Sequence, residues 1–319
     1  MNQTILITGG AGFIGSHIAD KMLENNYHVR IYDNLSTGKI ENLAHIKAHI
    51  EFIEADIRDV KTLEQSMKGC ELVFHKAAEV SVPRTIKAPI ETTMINDVGT
   101  LNVFEASRKA NVKRVVFASS CAIYGDSPDL PKHEQMTPLP KSPYAAQKMM
   151  GEYYARIYND IYQLETVCLR YFNVFGPRQD PSSPYSGVIS IFLTKAIAKQ
   201  PPVIYGDGTQ SRDFIYVKDV VNANVLATTQ PEVNGKAFNI GTGKMRSIND
   251  LWQTICHESK INIAARYEKG RDGDILASMG DIHRASQELK FAPEYSFDQG
   301  LKETLTWYRR ASKSGNLEK

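Results

Sequence analysis

The 319-residue sequence contains no apolar run near the ~18 residues that a membrane span needs, so no membrane-crossing helix is expected. Its four cysteines, Cys70, Cys121, Cys168 and Cys256, are scattered without C-x-x-C spacing. That excludes a disulfide framework or zinc ribbon and reads as reduced thiols. Charge of one sign is lacking too: 38 Lys and Arg stand against 36 Asp and Glu, interspersed, for a net +2. Neither a nucleic-acid surface nor a membrane surface is expected from that balance. There is no G-x-S-x-G elbow, no P-loop and no H-E-x-x-H pair. His45 and His49 stand four apart without a third ligand signal, so no metal site is expected. The opening MNQTILITGG runs straight into a strand without a cationic leader, and the expected location is the cytoplasm.

What is present is a core and an alternation. Hydrophobic residues make up 42% of the chain, enough for one large core with an added lobe. TILITG, HVRIYD, IEFIEAD, LVFHKAA, RVVFASS and TVCLRYF are short, mostly apolar and rich in β-branched residues, as in strands buried on both faces. SHIADKMLENN, TLEQSMKG and GTLNVFEASRKAN lie between them with helical patterning. Strand–helix alternation predicts a doubly wound parallel α/β sheet. After Asn173 the pattern breaks at FGPRQDPSSPYSG, a loop rich in Pro, Ser and Gly. The expected division is residues 1–173 as the nucleotide-binding domain, rejoined by about 214–243, and residues 174–319 as a smaller mixed α/β lobe. RDFIYV and AFNIGTG are candidates to return to the large sheet.

ILITGGAGFIGSHIADKML sets Gly9, Gly12 and Gly15 between a strand and a helix. Such glycines let the backbone turn tightly and lie against a pyrophosphate at a helix N-terminus. Asp33 closes the next strand, where a carboxylate accepts from adenosine ribose hydroxyls and repels a 2′-phosphate. NAD is therefore expected rather than NADP; the bland alternative is a glycine-rich turn that binds nothing. Asp56 and Ile57 end the third strand where an adenine would lie, and small Ala77 and Ala78 end the fourth.

Ser120 ends the strand RVVFASS, and Tyr144 and Lys148 follow in KSPYAAQK, four residues apart behind Pro143. Pro143 suits a first helical turn, so both side chains share one face. A free tyrosine is a poor base, but a nearby ammonium and a nicotinamide cation would stabilise its phenolate. It could then take a hydroxyl proton while a hydride leaves the same carbon. Tyr–Lys pairs at this spacing also arise by chance; the glycine loop and strand-end serine favour the chemical reading.

TGGAGFIG, SSCAIYGD, YAAQK, RYFNVFGPRQ, GDGTQSRDFIYVKDV and RDGD occur in order over nearly the whole chain. Together they resemble the extended short-chain dehydrogenase/reductase superfamily, and within it the NAD-dependent nucleotide-sugar 4-epimerases of the UDP-glucose/UDP-N-acetylglucosamine kind. The resemblance implies a Rossmann sheet with a C-terminal lobe that binds a UDP-sugar. It implies Ser120, Tyr144 and Lys148 as catalytic residues. Phe13, Ile14, Asn34 and Asn96 join the glycines, Asp33, Asp56, Ile57, Ala77 and Ala78 on the cofactor side. Ser81, Asn173, Gly187, Val188, Arg212, Arg271, Asp274 and Ser278 fall on the substrate side, with the two arginines gripping a diphosphate. Either arginine could instead form a surface ion pair.

Cys121 and Ala122 stand where related dehydratases carry an acid pair, so the resemblance implies epimerisation without water loss. Cys121 is expected to be a small buried residue. Ser278, the seventh residue after Arg271, stands where a larger side chain would exclude an N-acetyl group. This favours UDP-GlcNAc/UDP-GalNAc, with UDP-Glc/UDP-Gal also admissible. A UDP-uronate 4-epimerase, a nucleotide-sugar reductase and a silent NAD(H)-sensing regulator remain open alternatives. The resemblance also implies a homodimer, for which Met149, Met150, Tyr153 and Tyr154 offer an apolar surface.

Overall fold

The computed structural model describes residues 3–181, 187–270 and 275–313. Six of the apolar runs form β1 (Thr4–Thr8), β2 (His28–Asp33), β3 (Ile50–Glu54), β4 (Cys70–His75), β5 (Arg114–Ser120) and β6 (Glu165–Tyr171). They align in parallel in the order β6-β5-β4-β1-β2-β3. Alternation along each strand sends side chains to opposite faces. On one face Ile5, Ile7, Ile31, Phe74 and Val116 meet α1 (Phe13–Glu24) through Ile18 and Met22. On the other, Leu6, Tyr32, Val73, Val115 and Phe117 meet α2 (Val60–Ser66) through Leu63.

The stretch from 81 to 98, which shows no sustained period, is helical in pieces. Ser81 caps α3 (Val82–Lys87) and Pro89 opens α4 (Pro89–Thr93), each with proline at a first-turn position. A π-helical turn, Met94–Val98, then leads into α5 (Gly99–Lys109). Two prolines within a few residues chop the segment into helices too short for a periodic signal.

α6 (Pro143–Tyr162) is the longest helix described. The Ser142 hydroxyl accepts from the Ala145 amide at 3.2 Å, Pro143 fills the first turn, and Gln163 stops it in a left-handed conformation. α5 and α6 pack beside α2 on the Phe117 face.

Beyond β6 the chain leaves the sheet at Phe172. β7 (Asn173–Phe175) belongs to the lobe, as do α7 (Val188–Ile197), β8 (Val203–Tyr205), β9 (Ser211–Arg212) and β10 (Phe214–Tyr216). α8 (Val217–Thr229) then returns to pack beside α1, and β11 (Lys236–Ile240) pairs with β6 as the seventh parallel strand. The 214–216 run does not rejoin the sheet. It pairs with β7, whose register is offset from β6 by the turn at Phe172: the Phe172 amide still donates to Ile240, but that of Asn173 donates to Asp213. β12 (Arg246–Ser247), α9 (Ile248–Ser259), β13 (Arg266–Glu268), β14 (Ala277–Ser278) and α10 (Phe297–Lys313) complete the lobe. Its own core joins Phe175, Phe192, Phe214, Trp252, Leu301 and Tyr308.

Strand order reverses direction between β1 and β4, so the crevice at their C-terminal ends is where a ligand fits in a sheet of this kind. Phe74 is fully buried on β4 at the centre of the sheet. Phe74→Ala is expected to cost about 3–5 kcal/mol, read as a lower midpoint in chemical denaturation.

Candidate active site

At the crevice the three glycines have three different reasons. Gly9 has φ +68°, and a Cβ there would lie 2.6 Å from the Ala77 nitrogen, so the ends of β1 and β4 touch through it. A Cβ on Gly15 would lie 2.2 Å from the Gly9 carbonyl oxygen, so this glycine lets α1 start against the turn. Gly12 has an ordinary extended conformation, φ −76° and ψ 178°, and a Cβ there would meet one atom, the Gly9 oxygen at 3.1 Å. Packing demands little at this position; the space beyond it suits a pyrophosphate resting on the backbone. α1 begins there without a side-chain cap and without an acid in its first turn, leaving its amides for an anion. This donor set fits NAD.

Asp33 is buried, and its carboxylate accepts from the Ala11 amide at 2.9 Å and the Leu35 amide at 2.8 Å. Burial pushes its carboxyl up while the two amides oppose that. It therefore braces the glycine turn and retains acceptor positions for a ribose. Asn34 donates to Asp56 at 2.7 Å, and Asp56 also takes the Arg58 fork, which holds its carboxyl down to about 2. Ile57 is buried beneath Gly99, where a Cβ would come 2.5 Å from its Cδ1. Phe13 and Ile14 direct their side chains into the lobe core. Asn96 accepts from the Glu79 amide and donates to the Glu79 carbonyl and Gln147 Oε1. Its amide thereby clips the segment following Ala77 and Ala78 to α6.

The Ser120 side chain lies beside the Tyr144 phenol, close enough to favour its ionised form. Lys148 lies with its Nζ 5.8 Å from the Tyr144 ring centroid and donates to the Ala118 carbonyl at 2.8 Å. The expected pair therefore assembles at the end of β5. Its electrostatics differ from expectation: burial pushes the Tyr144 phenol up to about 12, and burial brings Lys148 down to about 8. Desolvation is the largest cause for both groups.

The lobe meets this pair through Ser278. β9 lies between β12 and β14, and Ser278 stands opposite Arg212 in register. The Ser278 side chain lies beside the thiol of Cys121, the residue after Ser120. Cys121 is half-buried, more open than the sequence suggested, because it lines this junction between sheet and lobe. Nearby Asp213 and desolvation push its thiol up to about 12, which keeps it neutral. Ser81 caps α3, whose Thr85 hydroxyl accepts from the Tyr144 amide at 3.2 Å. Asn173 begins β7 beside Asp213, and Gly187 and Val188 open α7. Arg271 and Asp274 lie outside the described residues.

Sequence reasoning missed two groups. Asp213 is fully buried and accepts from the Thr242 amide and hydroxyl and from the Gly243 and Gly280 amides. It pins the loop after β11 and the strand of Ser278 around Arg212. Glu152, Arg170 and Ser119 form a buried polar cluster behind Lys148. The sequence signal for each was a charge inside an apolar or invariantly spaced run: RDF for Asp213, CLRYF for Arg170. His45 is paired with Asp20 at 2.7 Å, and no group of three or more potential metal-binding His, Cys, Asp or Glu occurs among the described residues. Nor, among them, is any helix long and apolar enough to cross a membrane.

Comparison with known proteins identifies the family. The family profile described as "NAD dependent epimerase/dehydratase family" matches residues 5–241. The chain is 38% identical to a UDP-glucose 4-epimerase of Mycolicibacterium smegmatis, over 96% of this chain and 99% of that one. It resembles the structure of a UDP-N-acetylglucosamine 4-epimerase from Methanobrevibacter ruminantium in complex with UDP-N-acetylmuramic acid, with a TM-score of 0.92 and 41% identity, covering 96% of this chain and 98% of that one. It also resembles a UDP-glucose 4-epimerase of Thermotoga maritima with UDP-glucose, with a TM-score of 0.93 and 38% identity over 97% of this chain and 100% of that one. The chain belongs to the NAD dependent epimerase/dehydratase family, and its cofactor is NAD.

Proposed function

We propose that the protein interconverts UDP-hexoses by inverting C4, with UDP-GlcNAc/UDP-GalNAc as the preferred pair and UDP-Glc/UDP-Gal also accepted. The observation that carries this is the junction of Tyr144 and Ser120 with Cys121 and Ser278. It offers one base for a hydroxyl proton, no acid pair for water loss, and two small side chains beside it. The sheet domain, residues 1–172 rejoined by α8 and β11, holds NAD; the lobe, built from the rest of 173–319, holds the UDP-sugar.

Bound NAD supplies a hydride acceptor and donor for C4. Tyr144 takes the 4-hydroxyl proton, Ser120 hydrogen-bonds the same oxygen, and Lys148 contributes positive charge beneath the phenol. The resulting 4-keto sugar turns over while the UDP end stays held, with Arg212 in the diphosphate grip. When the hydride is returned to the opposite face of C4, Tyr144 gives the proton back to the oxygen and the centre is inverted. Attachment at the remote UDP retains the intermediate between the two half-reactions.

Incubation of the protein with UDP-GlcNAc is expected to yield UDP-GalNAc; no interconversion of any UDP-hexose by NAD-loaded protein refutes the proposal. Tyr144→Phe is expected to lower kcat by at least about 10²-fold with NAD still bound; near-parental turnover would refute the assigned base. Ser278→Tyr places a ring against Cys121. It is expected to depress kcat/KM for UDP-GlcNAc about tenfold more than for UDP-Glc; equal losses would remove Ser278 from the specificity wall.

We also propose a homodimer. Ile86, Ile90, Met94, Met150, Tyr153, Ile157 and Ile161 are large apolar side chains exposed on α3, α4, the π turn and α6. A patch of that kind marks an association surface. Tyr153→Glu with Ile157→Glu is expected to convert a dimer to a monomer in sedimentation, and a monomeric parent would refute this. The four free cysteines suit a reducing cytoplasm.

A further inference from the structure

The proposed chemistry requires residues on two different elements to meet, and the structure contains a device suited to holding them. α6 carries Tyr144, Lys148 and Glu152 at four-residue steps, so all three occupy one face. That face lies along β5. Lys148 donates to Ala118 and the Glu152 carboxylate accepts from the Ser119 hydroxyl, while Tyr144 stands beside Ser120. Helix and strand come this close because residue 151 is glycine: a Cβ there would lie 2.4 Å from Phe117 Cζ.

Glu152 also receives the Arg170 fork from β6, Nε to Oε1 at 2.9 Å and Nη2 to Oε2 at 2.7 Å. The other arm of Arg170 donates to the Tyr124 hydroxyl at 2.8 Å, and Tyr124 donates to Asn239 Oδ1 on β11 at 2.6 Å. The chain of bonds therefore joins α6, β5, β6, β11 and the turn that follows Ser120. Ser119, Glu152 and Arg170 are only 3%, 7% and 4% exposed. A buried ion pair is weak as a source of net stability, since apolar residues of similar volume often serve as well. What an apolar pair lacks is direction: it would press the helix onto the sheet and leave its position along β5 free. A two-point fork plus a third bond to the adjacent strand fixes that position.

We propose that Glu152 is a positioning residue, which with Arg170 and Ser119 sets the register of α6 on β5 and so brings the Tyr144 phenol to Ser120. The effect on turnover rests on the role assigned to Tyr144 above; the register itself does not.

The test uses the NAD-loaded enzyme with Glu152→Leu and Arg170→Leu combined. Expected are a melting temperature close to the parent's, an unchanged KM for the UDP-hexose, a kcat lower by about 10²-fold, and faster hydrogen exchange at residues 143–150. Parental kcat and exchange in a stably folded double variant overturn the proposal, because the pair would then be structural alone. Should that variant not fold, Ser119→Ala and Glu152→Gln each remove one directional bond with little change in volume. Both are expected to lower kcat with KM held, and parental kcat in both overturns the proposal. If the parent interconverts no UDP-hexose, the exchange measurement still decides the register, and the failure belongs to the proposed function instead.

Discussion

The reactive end of the molecule depends on how closely α6 can lie on β5. Two features permit the approach: Gly151 removes the side chain that would strike Phe117, and the neighbouring strand positions bear small residues, Ala118, Ser119 and Ser120. With the helix that near, four-residue steps along it find carbonyls and hydroxyls at successive places on the strand. The Gly9–Ala77 contact does the same for β1 and β4, closing the sheet edge on which the nucleotide turn rests. Function here is arranged by where the chain omits side chains as much as by where it places them.

That closeness has an electrostatic consequence. Buried Tyr144 is harder to ionise and buried Lys148 is easier to neutralise, so each is displaced toward its uncharged form. Desolvation works against a phenolate here, so positive charge beside the ring, from Lys148 and a bound nicotinamide, is what would favour the base form. Asp213 shows the opposite solution. It is buried more completely than either, yet four donors from two segments surround its carboxylate. The same desolvation that unsettles a lone group is tolerable where the acceptor sites are filled.

Much of this was legible in the sequence. The inner strands stood out because burial on both faces makes them largely apolar, whereas β3, at the edge, has no buried residue; the glycine turn stood out because its spacing serves a backbone need. Ser120, Tyr144 and Lys148 could be grouped because strand ends and helix faces follow simple periods. Ser278 was singled out by resemblance alone; that it touches Cys121 depends on β14 pairing with β9, a short-strand contact with no local signature. Asp213, Glu152 and Arg170 were invisible as partners because their meaning lies in pairings across the fold. The helices between 81 and 98 escaped notice since each is shorter than the period count needed to recognise it. The up-shift of Tyr144 required knowing its burial, which no spacing reveals.

The return of β11 to the sheet has a bearing on synthesis. Lys236–Ile240 pairs with β6, which ends at Tyr171, so the whole of 172–235 separates the two partners. While the chain is being made, β6 is complete long before its outer neighbour exists. During that interval it presents a parallel edge of bare amides and carbonyls, with Val167, Cys168 and Leu169 behind it. Arg114, at the start of the neighbouring β5, later donates from Nη1 to the Ala227 and Gln230 carbonyls of the segment that covers it. The first part of the lobe, β7 to β10, must therefore emerge before the sheet can close, and the vulnerable intermediate is a six-stranded sheet waiting for its seventh.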